Sequence, residues 1–286
     1  MSALAACAPA TRDPVSEDPP AQEPPATMGG VQFRSAGANL NGVLYEAAGP
    51  GPHPTLLMLH GFPGNELNAD IAQAVRRAGW NALIFHYRGS WGSEGEFGFV
   101  HVIEDSQTVF DALREERFAQ EHRIDPAHVS VFGHSMGGFA ALHTVARKTE
   151  ARCVLSIAGA NMASIGGSLA EPAVAAAVAA RFRDWGEGYI RGISGEALVA
   201  ELRANADGFD TLALAPRLAA RPALLVTGLA DDVTPTATSH DPLVAALRAA
   251  GAKDLQEVRL EADHAFNGAR VRLAREVVGF LNGMCR

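Results

Sequence analysis

The sequence predicts an α/β fold: a mostly parallel central sheet with helices on both faces. Three observations predict it. Apolar runs recur at 55–59, 81–87, 129–133, 153–158, 223–228 and 255–260. Most are continuous rather than alternating, which suits strands covered on both faces. Helix-period segments fall between them, near 66–78, 101–119, 137–148, 238–250 and 268–282. Strands and helices alternating in this way build parallel βαβ units. Finally, 31–34 and 42–45 flank Asn39, Asn41 and Gly42, which reads as an antiparallel hairpin at one sheet edge.

The elements follow in order. The strand at 55–59 ends in His60-Gly61-Phe62-Pro63-Gly64, a turn rich in glycine. In the helix at 101–119, Val102, Val109 and Leu113 recur at helical spacing and mark a core-facing stripe. The strand at 129–133 runs straight into Gly133-His134-Ser135-Met136-Gly137, with helix formers after it. Residues 161–215 form a long insertion holding two helical runs, Ala173–Phe182 and Glu196–Asn205. The strand at 223–228 leads to Asp231, Asp232 and Pro235. His240 stands beside Asp241-Pro242, where Asp as N-cap and Pro at the first position open a helix and leave the histidine at the surface. The alternating strand at 255–260 delivers His264 onto a loop before the last helix.

A serine between two glycines, on a turn from strand to helix, points to nucleophilic chemistry. So sharp a turn strains the central residue, and side chains two positions either side would collide. A serine hydroxyl needs a general base, and the base needs a partner that fixes its tautomer. In this architecture the acid and then the histidine follow the serine along the chain. Asp231 lies just past a strand end, three residues beyond Gly228 and four before Pro235, and is preferred to Asp232. Of the two histidines after Asp231, His264 lies at a strand's C-terminal end, and its neighbour Asp263 is expected to face solvent. An oxyanion needs two backbone donors. The N–H of Met136 supplies one, and Phe62 the other, because Pro63 has no N–H.

These residues resemble the α/β-hydrolase superfamily, within its serine esterase and prolyl-oligopeptidase-like members. The matching pieces are residues 60–64, 86–95 and 133–138 with Asp231 and His264, in the family's order over about 200 residues. The resemblance implies Ser135 as nucleophile, Asp231 as acid, His264 as base, and Phe62 and Met136 as oxyanion donors. It also implies that 161–215 is a helical lid over the serine. The oxyanion loop lacks the triple glycine of some lipases, so substrate rules from that branch do not transfer. His60, Trp91, His134 and Trp185 are the substrate-pocket candidates, with Phe182 and Tyr189 as further aromatic residues near the insertion. The expected activity is hydrolysis of carboxylic esters through an acyl-enzyme. The alternative is an aminopeptidase or amidase of the prolyl-oligopeptidase-like branch, which has the same triad.

The chain has 286 residues and is 48% hydrophobic, enough for one large core over 29–286. A net charge of −8 without a basic cluster argues against nucleic acid. No apolar run approaches the ~20 residues a membrane span requires. The three cysteines are too scattered for a disulfide framework, and Cys153 reads as a core residue. Metal-ligand spacing such as H-E-x-x-H is missing, so neither metal nor cofactor is expected, and the partner is a small-molecule ester. Residues 1–28 read as a disordered tail, dense in proline between 8 and 27. Leu4-Ala5-Ala6-Cys7 resembles the lipobox of bacterial lipoproteins, with only Met1-Ser2-Ala3 before it. Two readings stand. In one, a missing upstream signal makes this a membrane-anchored cell-envelope lipoprotein with lipidated Cys7. In the other, the tail is ordinary and the protein cytoplasmic.

Overall fold

The computed structural model describes residues 12–286. A hairpin opens it, β1 (Thr27–Ser35) and β2 (Ala38–Glu46). β3 (His53–Leu59), α1 (Ala69–Arg77) and β4 (Asn81–Phe85) follow, then α2 (Phe99–Leu113), α3 (Glu116–Glu121), β5 (Ile124–His134), α4 (Met136–Arg147) and β6 (Val154–Ile157). The insertion carries α5 (Met162–Ser168), α6 (Pro172–Gly186), α7 (Gly195–Ala204) and the short α8 (Ala215–Leu218). β7 (Ala223–Gly228), α9 (Thr236–Ala249), β8 (Leu255–Leu260) and α10 (Arg270–Met284) complete the chain.

The eight strands form one sheet in the order β1-β2-β4-β3-β5-β6-β7-β8. The β1–β2 and β2–β4 pairs are antiparallel, and every other pair is parallel. Both faces are covered. On one side Ile71 and Val75 of α1 pack with Leu273 and Val277 of α10 against Leu56, Met58 and Leu155. On the other, Val109 of α2, Phe139 and Leu142 of α4 and Leu247 of α9 cover Leu57, Val131 and Leu225. Neighbouring residues of the central strands thus point to opposite cores, while β1 at the edge keeps exposed positions. Because the strands from β3 to β8 run parallel, the loops after β3, β5, β7 and β8 gather at one rim.

Several expectations need correction. Residues 12–26 are not a loose tail: Arg77 donates to the carbonyls of Pro14 and Val15, and Asp13 pairs with Arg275 at 2.8 Å. Thr27 and Met28, also assigned to the tail, begin β1. Cys7 lies outside the described residues. The helix expected at 101–119 is two, because Glu115 takes an extended backbone (φ −63, ψ 131) between them. His240 is buried, not at the surface, since α9 begins at Thr236 and carries Pro242 inside it. A disulfide joins Cys153 to Cys285, 132 residues apart. Cys153 is indeed buried in the core. Spacing could not reveal the pair, because α10 folds back along the sheet and sets the two Cα atoms 5.7 Å apart.

Candidate active site

His134 closes β5 and Met136 opens α4, so one residue, Ser135, must turn the chain between them. It does so at φ 58, ψ −121, a conformation that costs about 1–3 kcal/mol in a residue with a Cβ. The surroundings impose it. Ser135 N–H donates to the Ile157 carbonyl at 2.9 Å, and its own carbonyl accepts from the N–H groups of Gly138 and Ala160. The flanking glycines are steric necessities. A Cβ on Gly133 would lie 1.8 Å from the Gly137 oxygen, and one on Gly137 would lie 2.0 Å from the Leu59 oxygen.

Two other loops complete the rim. Past β7, Asp231 Oδ1 accepts from the N–H groups of Val233 and Thr234, both at 2.8 Å. Its Oδ2 accepts from Thr234 Oγ1 at 2.7 Å and from His264 Nδ1 at 2.8 Å. A carboxylate can only accept, so Nδ1 carries the proton and Nε2 is the free basic nitrogen. Burial pushes the Asp231 carboxyl up, but the hydrogen bonds from His264 and Thr234 outweigh it and hold it at about 2. Asp232 takes no part in this network. Thr234 was not singled out by sequence reasoning; its signal is the Asp-x-x-Thr spacing, which lets an Asp side chain cap the turn it begins. Asp263, expected in solvent, is largely exposed and bonds to Asn267.

Ser135 and His264 line one cavity of about 180 Å³, without a hydrogen bond closed between them. Such bonds often tighten only when substrate arrives. Phe62 and Met136 line the same cavity, and neither N–H has an acceptor among the described residues. A Cβ on Gly61 would stand 3.0 Å from the Ser135 Cβ, so the loop after β3 lies directly against the serine.

Of the four pocket candidates, Trp185 reaches the cavity wall and the others do not. His60 is buried under that loop: its Nδ1 donates to the Gly61 carbonyl at 2.7 Å, and its ring packs on Tyr87. Tyr87 in turn donates to the His60 carbonyl. His134 lies beneath His264. Its Nε2 donates to the His264 carbonyl at 2.8 Å, and the two rings are 4.8 Å apart. Burial, then the neighbouring histidine, lowers both, His60 to about 3 and His134 to about 4. Trp91 stacks between His86 and Tyr189 and donates to the Pro63 carbonyl. All three side chains hold loops instead of facing the cavity. The insertion contributes Met162, Ile165, Phe182 and Trp185 to the wall. Sequence reasoning named only the last two, because periodicity cannot say which face of a helix meets another loop.

Among the described residues, ligand atoms of His240, Asp241 and Glu257 lie within 4.8 Å of one another. That group already holds its own cation, since Arg259 bonds to both carboxylates.

The fold agrees with solved structures that superpose on the chain. The chain is an α/β hydrolase by fold. The 2,6-dihydroxy-pseudo-oxynicotine hydrolase matches with a TM-score of 0.68 at 18% identity, over 90% of this chain and 68% of that one. An esterase of Pyrococcus furiosus matches with a TM-score of 0.66 at 15% identity, over 91% and 92%. A family model described as "Serine aminopeptidase, S33" matches residues 50–186 of this chain. An uncharacterized protein of Mycobacterium tuberculosis H37Rv is 26% identical over 131 residues, 46% of this chain and 45% of its own. The chain thus spans about half the length of the curated relatives it matches.

Proposed function

We propose that the chain is a serine hydrolase that cleaves carboxylic esters through an acyl-enzyme. One observation carries the reading: a strained serine and an Asp-bound histidine line the same cavity. In this mechanism Ser135 Oγ attacks the ester carbonyl while His264 Nε2 takes its proton. The N–H groups of Phe62 and Met136 stabilise the oxyanion. His264 then protonates the departing alkoxide, and water attacks the acyl-serine by the reverse route. Asp231 keeps the imidazole in the productive tautomer and offsets its positive charge. Preorganised donors of the oxyanion type are worth about 10²–10³ in rate each.

The matched family's description favours a second reading, cleavage of aminoacyl amides or peptides. The cavity weakens it. Among the described residues, no side chain lining it is a carboxylate that would hold a free α-ammonium group. The disulfide supports an oxidising compartment, the cell-envelope alternative for location.

Labelling with a fluorophosphonate probe, beside turnover of short esters and aminoacyl anilides, tests the reading. Wild type should label at Ser135 and hydrolyse the esters, and Ser135→Ala should do neither. Ester turnover surviving in Ser135→Ala would refute the mechanism, and anilides outrunning esters would establish the second reading.

A further inference from the structure

We infer that the cavity beside Ser135 is an acyl pocket for a compact, uncharged, apolar group of about seven heavy atoms, and that Trp185 and Ile165 set its length; the inference rests on the serine-hydrolase reading. The size follows from the volume. An apolar cavity of roughly 150 Å³ accepts a benzene ring, and this one measures about 180 Å³. Its chemistry follows from its walls. Ser135, His264 and Thr234 are the polar side chains in the lining, and the Thr234 hydroxyl is already bonded to Asp231. The remaining wall is largely aromatic and aliphatic. Phe182 of α6 meets Phe62 edge-on at 5.3 Å and Phe99 at 5.6 Å.

The pocket is preformed. A Cβ on Gly186 would lie 3.3 Å from Phe62 Cζ, so the end of α6 rests directly on the loop after β3. The chain beyond α6 is tied to the loop after β4. Trp91 N–H donates to the Tyr189 carbonyl, Arg191 N–H to Gly89 and Phe97 N–H to Arg191. A wall fixed at both places limits length as well as polarity.

Charge is excluded on two grounds. Burying an ammonium or carboxylate here would leave it without a partner, which is costly. Arg181 also stands 5.4 Å from the Trp185 ring, which puts positive charge near the half-exposed Trp185 and opposes a cationic aminoacyl group. The acyl side is assigned because that group stays bonded to Ser135 through both half-reactions. The alcohol must leave and water must enter, which suits the side open to solvent.

The test is kcat/KM for p-nitrophenyl acetate, butyrate, hexanoate and decanoate, with methyl butyrate against alanine methyl ester by pH-stat. Wild type should peak at butyrate or hexanoate and fall about tenfold or more at decanoate, since each misfitting methylene changes discrimination by about tenfold or more. Alanine methyl ester should trail methyl butyrate by at least about a hundredfold. Ile165→Trp should lower the hexanoate-to-acetate ratio about tenfold, and Trp185→Ala should raise the decanoate-to-hexanoate ratio. The second variant removes a half-exposed side chain and guards against misfolding of the first. The inference is overturned by rates that climb through decanoate, by alanine methyl ester matching methyl butyrate, or by acyl ratios unmoved in both variants. Fluorophosphonate labelling of Ser135 without turnover of any ester overturns the acyl pocket alone. Failure of both labelling and turnover removes the hydrolase reading as well.

Discussion

Ser135 stores backbone strain that can be measured apart from its chemistry. Its φ of 58 is costly because of the Cβ, not the hydroxyl. Ser135→Ala keeps the Cβ and removes the hydroxyl. Ser135→Gly removes both. The strain is about 1–3 kcal/mol. Glycine gives back about 0.5–1 kcal/mol through the greater freedom of its unfolded chain. Ser135→Gly should therefore be more stable than Ser135→Ala by about 1 kcal/mol, or about 2 °C in Tm for a domain of this size. Urea titrations of the two proteins, read as midpoints at a common m-value, provide the assay. Neither should hydrolyse esters. If Ser135→Gly proves equal to or weaker than Ser135→Ala, the elbow is relaxed in solution and strain at Ser135 is not part of the design.

Other outcomes follow from the same network. Asp231→Asn should keep the geometry but present the wrong tautomer of His264, lowering kcat by about 10³–10⁴ with KM little changed; steady-state kinetics on a short ester checks it. His60, His134 and His143 are buried and neutral, with values lowered by burial first to about 3, 4 and 4 against an ordinary 6.5. The unfolded chain therefore binds more protons than the folded one between those values, so stability is full above 6.5 and is lost as pH falls toward 4. Each contributes up to about 2 kcal/mol of loss between pH 7 and pH 5; chemical denaturation at the two pH values reads the sum. Thiol titration of the unfolded chain should find two more thiols with reductant than without it. Removing the Cys153–Cys285 bridge by Cys153→Ala/Cys285→Ala should cost up to about 5 kcal/mol, from the loop of 132 residues it closes.

The sequence made the fold class and the elbow legible for a physical reason. Parallel strands covered on both faces are nearly all apolar, and Gly133 and Gly137 stand where any Cβ would strike backbone. Asp231, which bonds to His264, was legible through its distance from a strand end. What stayed hidden depends on contacts between distant segments. Cys153 and Cys285 meet only because α10 returns along the sheet. The histidines at 60 and 134 look like site residues in sequence, since both flank the motifs. In three dimensions they lie one layer below, gripping the Gly61 and His264 carbonyls. The wall residues Met162 and Ile165 gave no sign, because the insertion has no period that identifies its inward face.

The site therefore has two parts held by different means. The elbow, the Asp231 turn and the His264 loop are pinned by backbone hydrogen bonds at the ends of β5, β7 and β8, the most buried strands of the sheet or their direct neighbours. The proposed acyl wall hangs on the insertion, whose contacts with the body include aromatic packing around Phe62, backbone bonds at 89–97 and the bonds of Glu201 to the first N–H groups of α2. A change in the first part alters the reacting geometry and must appear in kcat. A change in the second alters which acyl group fits and must appear in the ratio of one ester to another. Sequence drift on this fold can thus retune the wall while leaving the chemistry at Ser135 untouched, because no covalent or hydrogen-bonded link makes the elbow depend on the identity of Ile165 or Trp185.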